Sequence, residues 1–286
     1  MSKVNETSNR EVAQNYLGKG MVPIPVKYME KAPAISGWSD RTLTNTDIIA
    51  DFPTGQDQNI GVVLGKASQG IVDIDLDCQE AILMASMFLP DTGMVFGRDG
   101  APSSHRIYTV SDCGGSNKFQ GPGDEGVLVE YRGTGAQTVF PPSTHTSGEL
   151  IRFDHDGDPG QVDHETLHQN ASRLAAASLI ARHWTSGKRH EIAMALSGTL
   201  LRAGWFDDDV EEFVEAVCVG TNDNEVQDRL RAVQDTAKAV EAGDPSTGLT
   251  RLKQLIGDVG EPDDVKPIRR AQPVEREDQG LACLDD

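Results

Sequence analysis

The segment Gly70-Ile-Val-Asp-Ile-Asp-Leu-Asp77 decides the fold, because an apolar run of strand-forming residues carries an acid at every second position. Side chains of a β-strand alternate between two faces, so Asp73, Asp75 and Asp77 point to the same face. Carboxylates on one face repel one another unless a cation lies between them, and Mg²⁺ and Mn²⁺ prefer such oxygen ligands. The segment therefore predicts a half-buried strand with a metal site. The alternative interpretation is a solvated strand edge or strand end.

The composition is typical of a globular protein. The chain has 286 residues, of which 37% are hydrophobic and 25% charged, and this length suits one large or two medium domains. No window approaches the run of about 20 apolar residues that a membrane span needs, and residues 1–10 do not resemble a signal peptide. The four cysteines are scattered without a C-x-x-C pair, which argues against a disulfide framework or a zinc ribbon. We therefore expect a cytoplasmic protein with reduced thiols and no membrane partner.

The net charge of −19 at pH 7 argues against a protein that binds nucleic acid through a broadly basic surface. Non-specific affinity comes largely from Lys and Arg side chains that neutralise phosphates. Metal sites, however, need acids and bring their own positive charge, and a sum over the whole chain conceals local basic patches. The charge therefore limits contact with nucleic acid to local sites.

Two later strands also carry ionisable side chains. His105 opens the strand predicted over residues 105–110, and Glu130 lies in the middle of the strand predicted over residues 127–132. An unpaired carboxylate in a buried strand is unfavourable, and Arg132 points to the same face as Glu130. The two side chains form either a private ion pair or part of a shared metal and phosphate site.

The chain changes character near residue 160. Before this point short strand patterns dominate, which predicts an α+β domain over residues 1–160, with a loop over residues 111–126 and a polar linker over residues 155–159. After it, helical periodicity predicts a small all-α bundle over residues 171–256. Its helices are expected at residues 171–183, 189–203, 208–219, 225–241 and 249–256. Residues 257–286 contain few large apolar side chains and are predicted to form a disordered tail or a linker.

Three motifs follow one another in a fixed order, Val72-Asp-Ile-Asp75, Ser103-Ser-His105 and Val129-Glu-Tyr-Arg132. Residues 59–65 (NIGVVLG) precede all three as a supporting strand, and Pro141-Pro-Ser-Thr-His145 follows them. Together these pieces resemble the archaeo-eukaryotic primase superfamily, specifically the bifunctional primase/polymerase (prim-pol) branch of phages, plasmids and prophages. The match is specific because the pieces agree in order and in structural context over residues 20–155.

The resemblance implies a fold and a metal centre. The expected fold is an RNA-recognition-motif-like (RRM-like) sheet fused to a smaller α/β unit, with the active site in the cleft between them. The implied ligands of two divalent ions, Mg²⁺ or Mn²⁺, are Asp73, Asp75 and Glu130. Asp77 is an additional acid that the family pattern does not require.

The resemblance also implies a nucleotide site. His105 is expected to be catalytic together with the three acids and to hold the incoming triphosphate. Ser103 is expected to contact the same nucleotide. Independently of the resemblance, the phosphates need a cation or strong donor opposite the metals, and Arg132 or Lys31 could supply it. For Lys31 the alternative is an ordinary surface lysine in a loop anchored by Trp38.

The implied activity is that of a DNA primase and DNA-directed polymerase, a nucleotidyltransferase that makes and extends primers on a single-stranded DNA template from NTPs or dNTPs. Relatives often carry a helicase-type ATPase, expected here in cis or in trans, since the sequence has no G-x-x-x-x-G-K-[ST] motif. The expected location becomes the cytoplasm of a bacterial or phage-infected cell. The helical region is expected to help start primers, through a basic cluster formed by Arg182, Lys188, Arg189 and His190.

Two other functions remain open from the sequence. The same acids suit a metal-dependent nuclease or phosphodiesterase that uses water as the nucleophile. The other possible function is that of a non-catalytic replication-initiator module, which binds the template and in which the acids are structural.

Overall fold

A computed structural model describes residues 8–257 of the chain, so most of the tail predicted over residues 257–286 lies outside the described residues. The helices are α1 (Asn9–Gly18), α2 (Asn45–Asp51), α3 (Gln79–Phe88), α4 (His164–His183), α5 (Arg189–Arg202), α6 (Asp207–Gly220), α7 (Val226–Ala242) and α8 (Leu249–Ile256). The strands are β1 (Val22–Lys27), β2 (Gln58–Val63), β3 (Ile71–Leu76), β4 (Met94–Arg98), β5 (Ala101–Val110), β6 (Asn117–Gln120), β7 (Val127–Arg132), β8 (Gln137–Phe140), β9 (Ser143–Thr144), β10 (Leu150–Asp156) and β11 (Gly160–Val162). The predicted α+β class is confirmed. Within residues 8–257 no helix combines the length and apolar character needed to cross a membrane.

The larger sheet is built around the segment that carries the alternating acids. Its strand order is β6-β7-β3-β5-β4-β10-β9, with β11 paired in parallel to β5 and the other pairs antiparallel. β3 thus lies between β5 and β7, and its backbone is paired on both edges. β3 is buried at every position except the half-buried Asp75, so the acids on β3 are held at a fixed position in the middle of the sheet.

The smaller sheet and the first two helices cover part of one face of the larger sheet. The small sheet has the order β1-β2-β8, and α1 and α2 pack against it. Its apolar side chains form one core with Met94, Phe96 and Ile107 of the larger sheet. This arrangement leaves a cleft beside the small sheet, above the acidic part of β3.

The opposite face of the larger sheet is covered by helices. Val72 and Ile74 of β3 belong to one continuous core with α3, α4 and the helices that follow. α4 contacts β7 and β6, and α3 contacts both α4 and α6. The helical region therefore shares its core with the sheet, while the division of the chain near residues 160 and 171 stays a prediction.

The helix boundaries follow from their caps. Ser8 and Glu11 form a capping box at the start of α1, and Thr44 and Asp47 form one at the start of α2. The Asp163 carboxylate accepts a hydrogen bond of 2.9 Å from the Thr166 N–H. With this cap α4 starts at His164, seven residues before the predicted start at residue 171. The prediction missed the first turns because they are polar and show no clear apolar periodicity.

Two predicted connections contain strands. The prediction of a loop over residues 111–126 is wrong at residues 117–120, which form β6 and pair with β7 along the sheet edge. The linker predicted over residues 155–159 begins inside β10. In both cases pairing with a neighbouring strand overrides a local composition that favours loops.

We expect the sheet and the helices to unfold in one cooperative transition, because they share a core. Leu174, fully buried on α4, is the test position. Leu174→Ala should lower the free energy of unfolding by about 2–5 kcal/mol, as a core truncation does. Leu83→Ala, at a half-exposed leucine of α3, is the matched control and should change it by about 0.5 kcal/mol or less. Urea unfolding followed by near- and far-UV circular dichroism checks this, and two separate transitions, only one of them shifted, would contradict it.

Candidate active site

A single row of side chains crosses the larger sheet and defines the candidate site. Strand register places these residues side by side, in the order Lys118, Glu130, Asp75, His105, Phe96 and Phe153. Directly opposed residues of antiparallel strands have Cβ atoms about 4.5–5.5 Å apart, so consecutive side chains of the row are neighbours. The aromatic end of the row packs under the small sheet, and the charged end lies in and beside the cleft.

Asp73 is the most buried acid of the site, with no exposed surface. Its Oδ2 accepts hydrogen bonds from the Thr138 hydroxyl at 2.7 Å and from His105 Nδ1 at 3.0 Å. Its Oδ1 is buried and has no hydrogen-bond partner among the described residues. A buried carboxylate oxygen without a partner is unfavourable, and a bound cation would satisfy it.

Two groups of side chains in the described part of the chain are close enough to hold a metal ion. One contains Asp73, Asp75 and His105, and the other contains Asp75, Asp77 and Glu130. Within each group the candidate ligand atoms lie within 4.8 Å of one another. Asp75 belongs to both groups, as a carboxylate that bridges two ions would. The donor set and the unpartnered oxygen of Asp73 fit a hard divalent cation.

His105 is held between an aromatic ring and two carboxylates. Its ring stacks on Phe96 with the ring centroids 4.8 Å apart, and its Nδ1 lies 3.5 Å from Asp75 Oδ1 in addition to its bond to Asp73. Burial lowers the pKa of His105, but the charges of Asp75 and Asp73 outweigh burial and raise the pKa to about 9. Without a bound metal, His105 is therefore an imidazolium at neutral pH.

Arg132 lies among the acids of the cluster and forms ion pairs with two of them, Glu130 and Asp75. Its Nε lies 3.1 Å from Glu130 Oε2, one of its terminal nitrogens lies 3.5 Å from Asp75 Oδ2, and the same nitrogen donates to the Thr138 hydroxyl at 3.2 Å. Burial lowers the pKa of Arg132, and the neighbouring acids, Asp75 first, raise it overall. The Glu130–Arg132 ion pair is thus present but shared.

Two acids of the cluster, Asp75 and Asp77, have pKa values above those of ordinary carboxyls. Burial, and then repulsion from Asp75 and Glu130, raises the pKa of Asp77 to about 6. Burial is also the main cause that raises the pKa of Asp75. A divalent cation at either group would reverse these shifts, because it favours the charged form of each carboxylate.

A cavity of about 190 Å³ opens next to the acids. Its sheet side carries Asp75, Asp77, His105 and Arg132. Three further basic side chains line its other walls: Lys31 on the loop after β1, Arg98 at the end of β4, and His145 in the turn between β9 and β10. Burial and the charges of Lys31 and Arg98 lower the pKa of His145. The cavity therefore places carboxylates and basic groups around one space.

Asn59 ties two walls of this cavity together. Its side-chain Nδ2 donates to the carbonyls of Glu30, at 3.2 Å, and Thr144, at 2.7 Å, and its Oδ1 accepts from the Thr144 N–H at 2.9 Å. Gln137 fixes the same loop through a bond of 2.7 Å to the Lys31 carbonyl. Sequence reasoning assigned no role to Asn59, Thr138 or His145. A buried Asn at the start of an apolar strand and a His after a Pro-Pro-Ser-Thr run were the available signals.

Of the residues predicted for the site, Ser103 alone lies away from the cavity lining and the acidic cluster. Phe96 pairs with His105 and Arg98 with Ala101, so Gly97 faces a bulge in β5. In this bulge Ser103 has φ of 55°, and its N–H and hydroxyl donate to Asp154. Ser104 lines the cavity instead. Lys31, Asp75, His105 and Arg132 line the cavity, and Asp73 and Glu130 adjoin it through their bonds to His105 and Arg132.

A comparison with family models bears on the identity of the chain. A family model described as "Bifunctional DNA primase/polymerase, N-terminal" matches residues 13–165, more than half of the chain. The match includes both sheets and every side chain of the cluster, and it ends within the first turn of α4. No curated protein matches the chain.

The hydroxyl of Thr138 orients Asp73, so its removal should weaken metal binding without unfolding the protein. Thr138→Val should lower Mn²⁺ affinity by about tenfold or more, the usual effect of losing a group that orients a metal ligand. Thr138→Ser keeps the hydroxyl and is the matched control. Calorimetric titration with Mn²⁺ measures both variants, and equal affinities for Thr138→Val and the wild type would refute the role of Thr138.

The raised pKa of His105 predicts how stability depends on pH when metal is removed. Its folded-state pKa of about 9 exceeds the unfolded value of 6.5, so its stabilising contribution is complete below pH 6.5 and is lost as the pH rises through 9. In EDTA, the free energy of unfolding should therefore fall between these pH values. His105→Gln should flatten the fall, whereas His155→Gln, at an exposed histidine of β10, should preserve it. Urea unfolding at a series of pH values provides the measurement; an unchanged profile in His105→Gln would contradict the shift.

Proposed function

Because the chain belongs to the bifunctional DNA primase/polymerase family, we propose that it is a template-dependent nucleotidyltransferase that starts and extends primers on single-stranded DNA with two divalent ions. The observation that carries the proposal is the pair of ligand groups that share Asp75, beside the unpartnered Oδ1 of the buried Asp73. Family membership gives primase/polymerase activity in general, and the details of the site are our proposal.

Asp73, Asp75 and Glu130 would hold the two ions, Mg²⁺ or Mn²⁺, and Asp77 would add a fourth carboxylate next to Glu130. When bound, the ions would activate the primer 3′-hydroxyl and neutralise the triphosphate and the departing pyrophosphate. Thr138 and His105 would keep Asp73 in the orientation that ligation needs, since both donate to its Oδ2. Arg132 would limit the repulsion between Glu130 and Asp75 in the absence of metal.

The triphosphate would lie in the cavity beside the acids. His105 Nδ1 is bonded to Asp73, which leaves Nε2 as the donor for a phosphate oxygen. Lys31 makes no ion pair among the described residues, and it lines the cavity with Arg98 and His145. Arg132 is already surrounded by carboxylates, so we assign the main phosphate contacts to His105 and Lys31. The predicted contact of Ser103 stays a prediction, and Ser104 is better placed for it.

The helical region and the partners belong to the same proposal. We retain an RRM-like catalytic sheet, NTPs or dNTPs as substrates, a helicase-type ATPase partner and a location in the cytoplasm of a bacterial or phage-infected cell.

The basic cluster proposed to help start primers is largely neutralised: Arg182 pairs with Glu80 and Glu125, Arg189 with Asp223, and His190 with Asp228. An initiation role for the helices therefore rests on the family resemblance, without support from this cluster.

The test is incorporation of labelled nucleotides on primed and unprimed single-stranded DNA in Mn²⁺ or Mg²⁺. Asp75→Asn should reduce incorporation by at least about a hundredfold, because a carboxylate shared by both metal groups is lost and with it several kcal/mol of transition-state stabilisation. Glu241→Gln, at an exposed acid of α7, is the charge-matched control and should retain full activity. Shortening of the labelled primer in place of extension would favour the nuclease, and a wild type that neither binds Mn²⁺ nor extends would favour the non-catalytic module.

A further inference from the structure

The acidity of this chain raises a question about how it holds DNA. The net charge is −19, and three members of the basic cluster in the helical region are paired with acids. Phosphate contacts alone therefore provide little of the affinity that a single-stranded template requires. A contact that does not depend on charge would add to the affinity that local basic side chains provide.

We propose that Tyr28, Met29 and Leu150 form a stacking platform that binds the bases of single-stranded DNA at the mouth of the cavity. This inference rests on the proposed function and identifies the surface by which the same site holds its template or primer strand. Base stacking on aromatic side chains tolerates any sequence, because every base has a π face, and it is largely insensitive to salt.

The three side chains are exposed to an unusual degree for their type. Tyr28 is 50% exposed, Met29 36% and Leu150 54%, and they belong to a small set of exposed large apolar side chains in the part of the chain that the structure describes. Scattered exposed apolar residues need no explanation, but these lie on two adjoining segments. The Met29 methyl lies against Gly148, 3.9 Å from where a Cβ at that position would be.

The position of the platform ties it to the active site. Tyr28 and Met29 immediately precede Glu30 and Lys31, which line the cavity. Leu150 pairs across the β9–β10 hairpin with Thr144, another lining residue. A base held on this platform is therefore adjacent to the space proposed for the incoming nucleotide, which favours DNA over a partner protein as its ligand.

The platform is preformed. Met29 has φ of 58°, a left-handed conformation that is strained for a residue with a side chain. Asn59 holds the next carbonyl, that of Glu30, and Gln137 holds that of Lys31. A rigid platform loses little conformational entropy when it binds, so a modest apolar surface can contribute measurable affinity.

The surrounding charges suit a strand whose phosphates lie at the rim. Lys27 is 68% exposed at its side chain and lies 3.9 Å from Glu30, a loose pair that a phosphate can replace. Lys31 on the cavity side makes no ion pair among the described residues. The platform thus presents an apolar surface for bases, and two lysines, Lys27 and Lys31, flank its first segment in the chain.

The first measurement is binding of the full-length protein to a fluorescently labelled oligothymidine, by anisotropy in EDTA without nucleotide. Tyr28→Ala should weaken binding about tenfold, within the range for loss of one stacked base. The slope of affinity against salt concentration should not change, because no phosphate contact is lost. Tyr28→Phe should bind within about twofold of the wild type, since the ring remains. Ile49→Ala, at an exposed isoleucine of α2 outside the cavity lining, is the control and should bind normally.

The second measurement is a scan of a primer–template in which one base at a time is replaced by an abasic site. The wild type should lose affinity at one template or primer position, and Tyr28→Ala should lose nothing further there, because the stacking partner is already absent. Wild-type affinity in Tyr28→Ala, a changed salt slope, or additive losses at every position would each overturn the platform. Both measurements are independent of catalysis: platform-dependent DNA binding without nucleotide incorporation would refute the proposed activity and leave the platform standing.

Discussion

The burial of acids on a central strand is the constraint on which the rest of the structure depends. Asp73 has no exposed surface, and Asp75 lies directly beside it on the same face of β3. Two carboxylates in such a position are unstable unless neighbouring strands supply positive charge and hydrogen-bond donors. β5 supplies His105 and β7 supplies Arg132, and the remaining unpartnered oxygen of Asp73 is left for a cation. The arrangement of the sheet and the chemistry of the site are therefore two aspects of one requirement.

The small sheet completes the site from above. Thr138 on β8 donates to Asp73, and Asn59 on β2 links the two segments that wall the cavity. The aromatic half of the cross-strand row packs into the core of this unit, so the charged half is left at its edge. The cavity lies where the apolar covering ends, which explains why carboxylates and basic groups meet there.

The helices support the same strands from below. Ile74 and Leu76 alternate with the acids on β3 and pack into the core shared with α3 and α4. A change on this helical side can therefore alter the position of the acids without touching them. An effect of the helical region on activity is expected on mechanical grounds alone, whether or not these helices also help to start primers.

The sequence by itself determined the elements whose pattern is local. Alternation along residues 70–77 placed the acids on one face, and helical periodicity located α5 to α8 within a residue of their ends. The resemblance to the primase/polymerase family predicted that Asp73, Asp75, His105, Glu130 and Arg132 belong to one site, and the structure places these side chains side by side. Tertiary structure alone decided that Thr138 orients Asp73, that Ser104 rather than Ser103 lines the cavity, and that β6 is a strand. It also decided that Asn59 binds Thr144 and that sheet and helices share a core. These features depend on contacts between residues that lie far apart in the chain: 65 positions separate Thr138 from Asp73, and 85 positions separate Asn59 from Thr144. The strand β6 depends on pairing at the edge of the sheet. No local period in the sequence encodes contacts of this kind.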